Sequence, residues 1–246
     1  LNHESSQVVD SAVWYLYKVL IHSESVGVDR AVSLARFSTE IQLSHETVNV
    51  QRGALCVLVR LLEKSEGMTD EQLLSIMAKV TPGNIEHSNA KIQFWGLWAI
   101  AKGLEKSQSL SSEEVLRFAN IVTDNHLTHV EAYIHGVALY LLNTAMKKSC
   151  LPNAQKLEIA ARVREVHLTS SEEIARRYAQ RIRAGEAVIR ASIAAEASQA
   201  SQCEVVEEVG IVEERRGSPA CMTASSILLA FFIAVGAAGA GFSPGY

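Results

Sequence analysis

Leu127-Thr128-His129 is the last of four related triplets: Leu1-Asn2-His3, Leu43-Ser44-His45 and Ile85-Glu86-His87 precede it, each 42 residues from the next. A motif recurring at a fixed interval of that length marks a stack of helical units, each too small to bury its own apolar face. Further columns hold the same offset on either side of the triplet. Val8, Val50, Ile92 and Ile134 form one, Ala12, Ala54, Gly96 and Ala138 the next, and Val13, Leu55, Leu97 and Leu139 a third. Leu16, Leu58, Ile100 and Leu142 follow, then Leu20, Leu62, Leu104 and Met146, then Ser23, Ser65, Ser107 and Ser149. Steps of five, three and four residues between apolar positions belong to one buried helical face. The Ala/Gly column predicts a close approach between neighbouring helices, where a larger side chain would force the layers apart.

A shorter helix is predicted before each triplet after the first. Thr69-Asp70-Glu71-Gln72 and Ser111-Ser112-Glu113-Glu114 are capping-box starts for two of them. Asp29 to about Glu40 is the equivalent stretch one unit earlier, and Pro152-Asn153 opens the last, predicted to run to about Val166. Thr81-Pro82-Gly83-Asn84 and Thr123-Asp124-Asn125 read as helix breakers. Each unit is expected to be a pair of antiparallel helices, short then long, and the fold class is all-α. Units of about 40–47 residues are the size of HEAT and armadillo repeats, and residues 1–202 resemble such an α-solenoid in architecture. The resemblance implies a scaffold that binds a partner along the surface lined by one helix series.

Beyond His167-Leu168-Thr169 the register weakens. Ser170-Ser171-Glu172-Glu173 starts a helix rich in alanine and arginine that is predicted to reach Gln202, with the polar outer face of a terminal capping helix. Residues 203–219 read as an acidic linker, a short helix or, by preference, a flexible tether. Residues 220–242 carry no charge and centre on Ile227, Leu228, Leu229, Phe231, Phe232, Ile233 and Val235. About 20 apolar residues suffice to cross a bilayer as a helix, so a transmembrane helix is expected there. Arg215-Arg216 before it and no charge after it put the solenoid on the cytosolic side of a single-pass, tail-anchored protein. A cleaved GPI signal near Gly217-Ser218-Pro219-Ala220 is the competing reading, and Cys203 and Cys221 are candidate palmitoylation sites. Gly236 and Gly239 offer small residues for helix association in the membrane. The first residue lies inside a repeat triplet, so a longer parent protein is expected.

The chemistry-bearing residues point to binding rather than catalysis. There is no glycine-rich phosphate loop, no nucleophile elbow and no His-Glu-X-X-His pair. The four cysteines have neither disulfide nor zinc spacing, which favours a reducing compartment, and no cofactor is expected. A net charge of -4 argues against nucleic acid as partner. His3, His45, His87 and His129 invite a metal reading, but packed helices lie about 8–10 Å apart and zinc–nitrogen bonds are about 2.0–2.1 Å. A structural role at the repeat turn is the stronger expectation, the imidazole bonding a free backbone group at the start of the long helix or the turn of the next layer. Lys18, Arg60 and Lys102 share one offset and so form a row on one surface, a candidate for binding a protein or peptide. Phe94 and Trp95 are candidates beside it. The column Trp14, Cys56, Trp98 and Tyr140 reads as core or as a wall of that surface. The overall expectation is a non-enzymatic, membrane-tethered scaffold or adaptor. Its alternatives are a structural subunit of a membrane complex assembled through the C-terminal helix, and a non-catalytic piece of a larger enzyme or regulatory protein.

Overall fold

The computed structural model describes residues 5–36 and 40–209, with the side chains of 5–36 and 42–199. Every element among the described residues is a helix. In chain order they are α1 (Ser6–His22), α2 (Val28–Ala35), α3 (Glu40–Leu43), α4 (Val48–Lys64), α5 (Asp70–Met77), α6 (Pro82–Ile85) and α7 (Ala90–Lys106). After them come α8 (Ser112–Ala119), α9 (Asp124–Leu127), α10 (Ala132–Met146), α11 (Asn153–Ala161), α12 (Glu165–Leu168) and α13 (Glu173–Val209). The fold is an armadillo/HEAT-like all-α helical repeat. Contacts divide the chain into two compact units, Leu1–Glu196 and Ala197–Tyr246, and every repeat layer lies in the first.

Each unit holds three helices, not the expected pair. The third is a single turn inserted where the chain was read as broken: α6 and α9 occupy the stretches Thr81–Asn84 and Thr123–Asn125. The chemistry of those stretches is that of a helix start. Pro82 sits in the first turn of α6 after the extended residue Thr81, and its missing N–H is one that no helix start could satisfy internally. The same insertion ends α11 at Ala161, short of Val166, and opens α12 at Glu165. The capping boxes at α5 and α8 are formed: Thr69 Oγ1 accepts from the Gln72 N–H at 3.2 Å, and Ser111 Oγ from the Glu114 N–H at 3.2 Å.

The long helices stack side by side, α1 on α4, α4 on α7 and α7 on α10. In α4 the side chains from Val50 to Leu62 are buried except Arg52 and Arg60, and in α10 those from Ile134 to Met146 are buried except His135. Gly96 is packed closely: a Cβ there would stand 3.0 Å from Ile85 Cδ1. One expected core position differs. Val8 is 48% exposed, whereas its partners Val50, Ile92 and Ile134 are fully buried. Tyr15 and Val19 lie open along the same flank of α1, because no described element packs on that side.

Register between layers is held by a polar ladder on the one-turn helices. Asn84 Oδ1 accepts from the Thr81 N–H at 3.1 Å while its Nδ2 donates to the Leu43 carbonyl of the layer before at 2.7 Å. His126 repeats the arrangement: Nδ1 accepts from the Thr123 N–H at 2.9 Å and Nε2 faces the Ile85 carbonyl at 3.0 Å. His167 does so again, from the Arg164 N–H at 2.9 Å to the Leu127 carbonyl at 3.0 Å. A ring that accepts at Nδ1 carries its proton on Nε2, so both histidines are neutral donors to a buried carbonyl. A second ladder closes the other end of the layers. Lys106 Nζ donates to the Glu63 carbonyl at 3.2 Å and to that of Ser65, and Lys148 Nζ to those of Ser107 and, at 3.5 Å, Glu105. Each lysine therefore caps the carbonyl end of the preceding long helix, where the helix dipole favours a cation.

The first ladder carries a pH dependence. Burial pushes the His167 imidazole below its ordinary pKa, with Arg164 and Arg183 acting in the same direction; the Leu127 carbonyl and Asp124 oppose them. Burial and the nearby His167 lower His135 likewise. The unfolded chain titrates near pH 6.5, so it binds more protons than the native state between that value and the depressed native ones. Stability is then fully present above about pH 6.5 and is lost as the pH falls through the native values. The thermal midpoint should drop between pH 7.5 and pH 5, and His167→Asn should shrink that drop. A midpoint unchanged over this range would show that the buried rings do not titrate with unfolding.

The capping helix, expected to end near Gln202, continues as α13 to Val209 and so takes in the first residues of the expected acidic tether at 203–219. Residues 210–246 lie outside the described residues, and with them the expected membrane segment at 220–242. Among the described residues no helix is long and apolar enough to cross a membrane.

Candidate functional site

The long helices leave one stripe of side chains uncovered. Between Val50 and Glu63 of α4 only Arg52, Arg60 and Glu63 are not buried; between Ile92 and Glu105 of α7 they are Gln93, Phe94, Trp95, Lys102 and Glu105. Arg52, Arg60 and Glu63, like Trp95, Lys102 and Glu105, are spaced close to whole helical turns, so each helix turns one edge outward while the rest of its circumference is packed. α1 adds Trp14, Tyr17 and Lys18, and α13 adds Tyr178 and Arg181.

Aromatic rings run across the layers along this stripe. Phe94 stacks on Trp98 at 5.8 Å and meets Trp95 and Tyr133 edge-on at 5.2 and 5.6 Å. Trp98 lies 5.1 Å from Tyr140, which lies 5.1 Å from Tyr178. Trp98 and Tyr140 are buried, whereas Phe94, Trp95 and Tyr178 are half-buried. Cations cover the rings: Arg52 over Trp14 at 4.9 Å, Arg60 over Tyr17 at 5.7 Å and Arg181 over Tyr178 at 5.6 Å. Lys102 stands 5.1 Å from Trp98 and 5.4 Å from Tyr140. Such contacts hold a long cationic side chain in one place on an otherwise apolar wall.

Two of the three members of the expected cationic row are already paired. Arg60 meets Glu63 at 2.5 Å and Lys102 meets Glu105 at 2.8 Å. Lys18 is exposed. Burial alone would raise the Glu105 carboxyl, but hydrogen bonds from Lys102 and Tyr140 outweigh it and hold the pKa below the ordinary range. The same contact with Glu105, added to burial, drives the Tyr140 hydroxyl far up, so it stays a donor. Cys56, which replaces an aromatic in this column, is buried, and burial drives its thiol far up despite Arg52 and Arg60. It is an inert core side chain.

The triplet histidines lie at the N-terminal ends of the long helices. The Nδ1 atoms of His45, His87 and His129 accept from the N–H of Thr47, Asn89 and Glu131 at 3.0, 2.9 and 3.0 Å. Those three residues are the N-caps of α4, α7 and α10. His3 lies outside the described residues. Among the described residues no group of three or more His, Cys, Asp or Glu side chains is placed to hold a metal ion.

The stripe contains residues that sequence reasoning missed. Glu63 and Glu105 share an offset and stand three residues after Arg60 and Lys102, a spacing that pairs charges on a helix. Arg52 shares its column with Asp10 and Phe94, and Tyr178 follows Tyr140 by fewer than 42 residues, so neither forms a uniform column.

No family model matches the sequence, and no curated protein matches it. Among solved structures, a designed armadillo repeat protein in complex with the peptide (KR)4 matches 75% of this chain and 78% of its own. Its TM-score is 0.57 at 13% identity. An engineered protein matches with a TM-score of 0.58 at 14% identity and 87% coverage of each chain. The likeness is one of fold.

Proposed function

We propose that the chain is a scaffold that binds a protein or peptide segment in extended form along the stripe of the long helices. The observation that supports this most directly is the continuous aromatic row from Phe94 to Tyr178, crossing three layers with half of its members open to solvent. Rigid aromatic rings supply contact area at low entropic cost, and a stripe repeated from layer to layer offers equivalent positions to successive residues of a ligand. A protein of the same fold was solved with a bound peptide. Lys18, Arg60, Lys102, Phe94 and Trp95 are proposed contact residues, and the role is binding without chemistry of its own.

Selection of a random twelve-residue peptide library on the full chain tests the reading. Enriched peptides should bind at least about tenfold more weakly when Trp95→Ala and Tyr133→Ala are combined, since aromatic side chains dominate such interfaces. Unchanged affinity in a folded double variant would rule the stripe out.

Membrane tethering is a separate proposal and rests on the composition of residues 220–242. Deleting residues 220–246 should move the protein from the membrane to the soluble fraction, and retention on membranes would refute the tether.

A further inference from the structure

Charge is uneven between the long and short helices of the central layers. α4 carries Arg52, Arg60 and Lys64 against Glu63, and α7 carries Lys91, Lys102 and Lys106 against Glu105. The short helices beside them carry the reverse: Asp70 and Glu71 without a cation in α5, and Glu113 and Glu114 against Arg117 in α8, while α2 is balanced by Asp29 and Arg30. In a chain of net charge -4, α4 and α7 are basic, whereas α1 balances Asp10 with Lys18 and α10 carries no acidic residue, lysine or arginine.

The stripe itself also carries an excess of cations. Its carboxylates Glu63 and Glu105 are occupied by Arg60 and Lys102. Tyr140 also bonds Glu105, which removes a further share of its accepting capacity. Lys18 and Arg181 are exposed, as is Lys147, which follows Glu105 by one 42-residue interval and lies close enough to help lower its pKa. Arg52 lies on the Trp14 ring, which leaves its charge uncompensated by a carboxylate at that contact. Asp10, half-buried on α1, is the opposing charge at that end. Along the stripe Lys18, Arg52, Arg60, Lys102, Lys147 and Arg181 thus stand against the carboxylates of Asp10, Glu63 and Glu105.

We infer that the segment bound on the long-helix stripe is acidic, its carboxylates meeting Lys18, Arg52, Lys147 and Arg181 and its apolar or aromatic side chains meeting the ring row. This rests on the peptide-binding reading above. The paired Glu63 and Glu105 favour a peptide over a nucleic acid, because a continuous phosphate backbone would have to pass both carboxylates, whereas a peptide can space its charges between them. Complementarity of this kind sets the on-rate and the choice of partner more than the affinity, so binding should weaken steeply with salt.

The test uses the same random twelve-residue library on the full chain, followed by binding of the enriched sequences in low and high salt. The expected result is enrichment of peptides with net negative charge. Lys18→Glu, Lys147→Glu and Arg181→Glu combined should weaken them by about tenfold or more at low salt. All three positions are exposed, so the variant should melt like the parent. Enrichment of neutral or basic peptides would overturn the acidic assignment and leave peptide binding standing. No enrichment over an unrelated control protein would overturn both. A twelve-nucleotide oligo-dT that binds more tightly than every enriched peptide would overturn it in favour of nucleic acid.

Discussion

Replacing Trp98 with alanine is expected to lower the unfolding free energy by about 3–5 kcal/mol, the range for a buried aromatic truncated in a core. Trp98 is 6% exposed and touches three other groups of the row: Phe94 at 5.8 Å, Tyr140 at 5.1 Å and the Lys102 ammonium at 5.1 Å. Its Nε1 also donates to Glu63 Oε1 at 3.3 Å, linking α7 to α4. Trp98→Phe keeps a ring against Phe94 and Tyr140 and loses the donor, so its cost should be well under half as large. Urea unfolding of both variants measures the difference. A loss below about 1 kcal/mol for the alanine variant would mean that the row decorates the surface without joining the layers.

Replacing His126 with leucine should cost about 2–4 kcal/mol. Two backbone groups, the Thr123 N–H and the Ile85 carbonyl, would lose their partner in a buried setting, and each such orphan costs about 1–3 kcal/mol. His126→Asn should stay within about 1 kcal/mol of the parent, because Asn84 makes the equivalent pair of bonds one layer earlier. If leucine and asparagine proved equally tolerated, the ladder would contribute nothing beyond its volume.

The sequence revealed the stack and concealed its joints. Apolar columns such as Leu55, Leu97 and Leu139 are legible because burial tolerates few residue types and the interval never changes. The one-turn helices are not legible, since four residues are too few to show a helical period. Thr81-Pro82 was read as an end because proline interrupts helices, although it suits a first turn equally well. The column Gln42, Asn84 and His126, which His167 continues one residue out of step, escaped for another reason. Its members differ in name while Asn84, His126 and His167 share a geometry, an acceptor on one atom and a donor on another. The triplet histidines were conspicuous by identity, yet each caps only its own helix. In the stripe, the cationic row is visible from its offset, and its pairing with Glu63 and Glu105 follows from their three-residue spacing.

The ladder gives the stack a polarity. Asn84, His126 and His167 each reach backward, their donor atom ending on a carbonyl of the layer that precedes it in the chain. Lys106 and Lys148 reach backward too. Trimming from the C-terminal side therefore removes donors and leaves carbonyls, which have two lone pairs and are less costly to leave short of a partner. Trimming from the N-terminal side strands a histidine or a lysine inside the next layer with its donor facing nothing. Nascent chains emerge in the favourable order, with each layer's acceptors in place before the donors that need them are made.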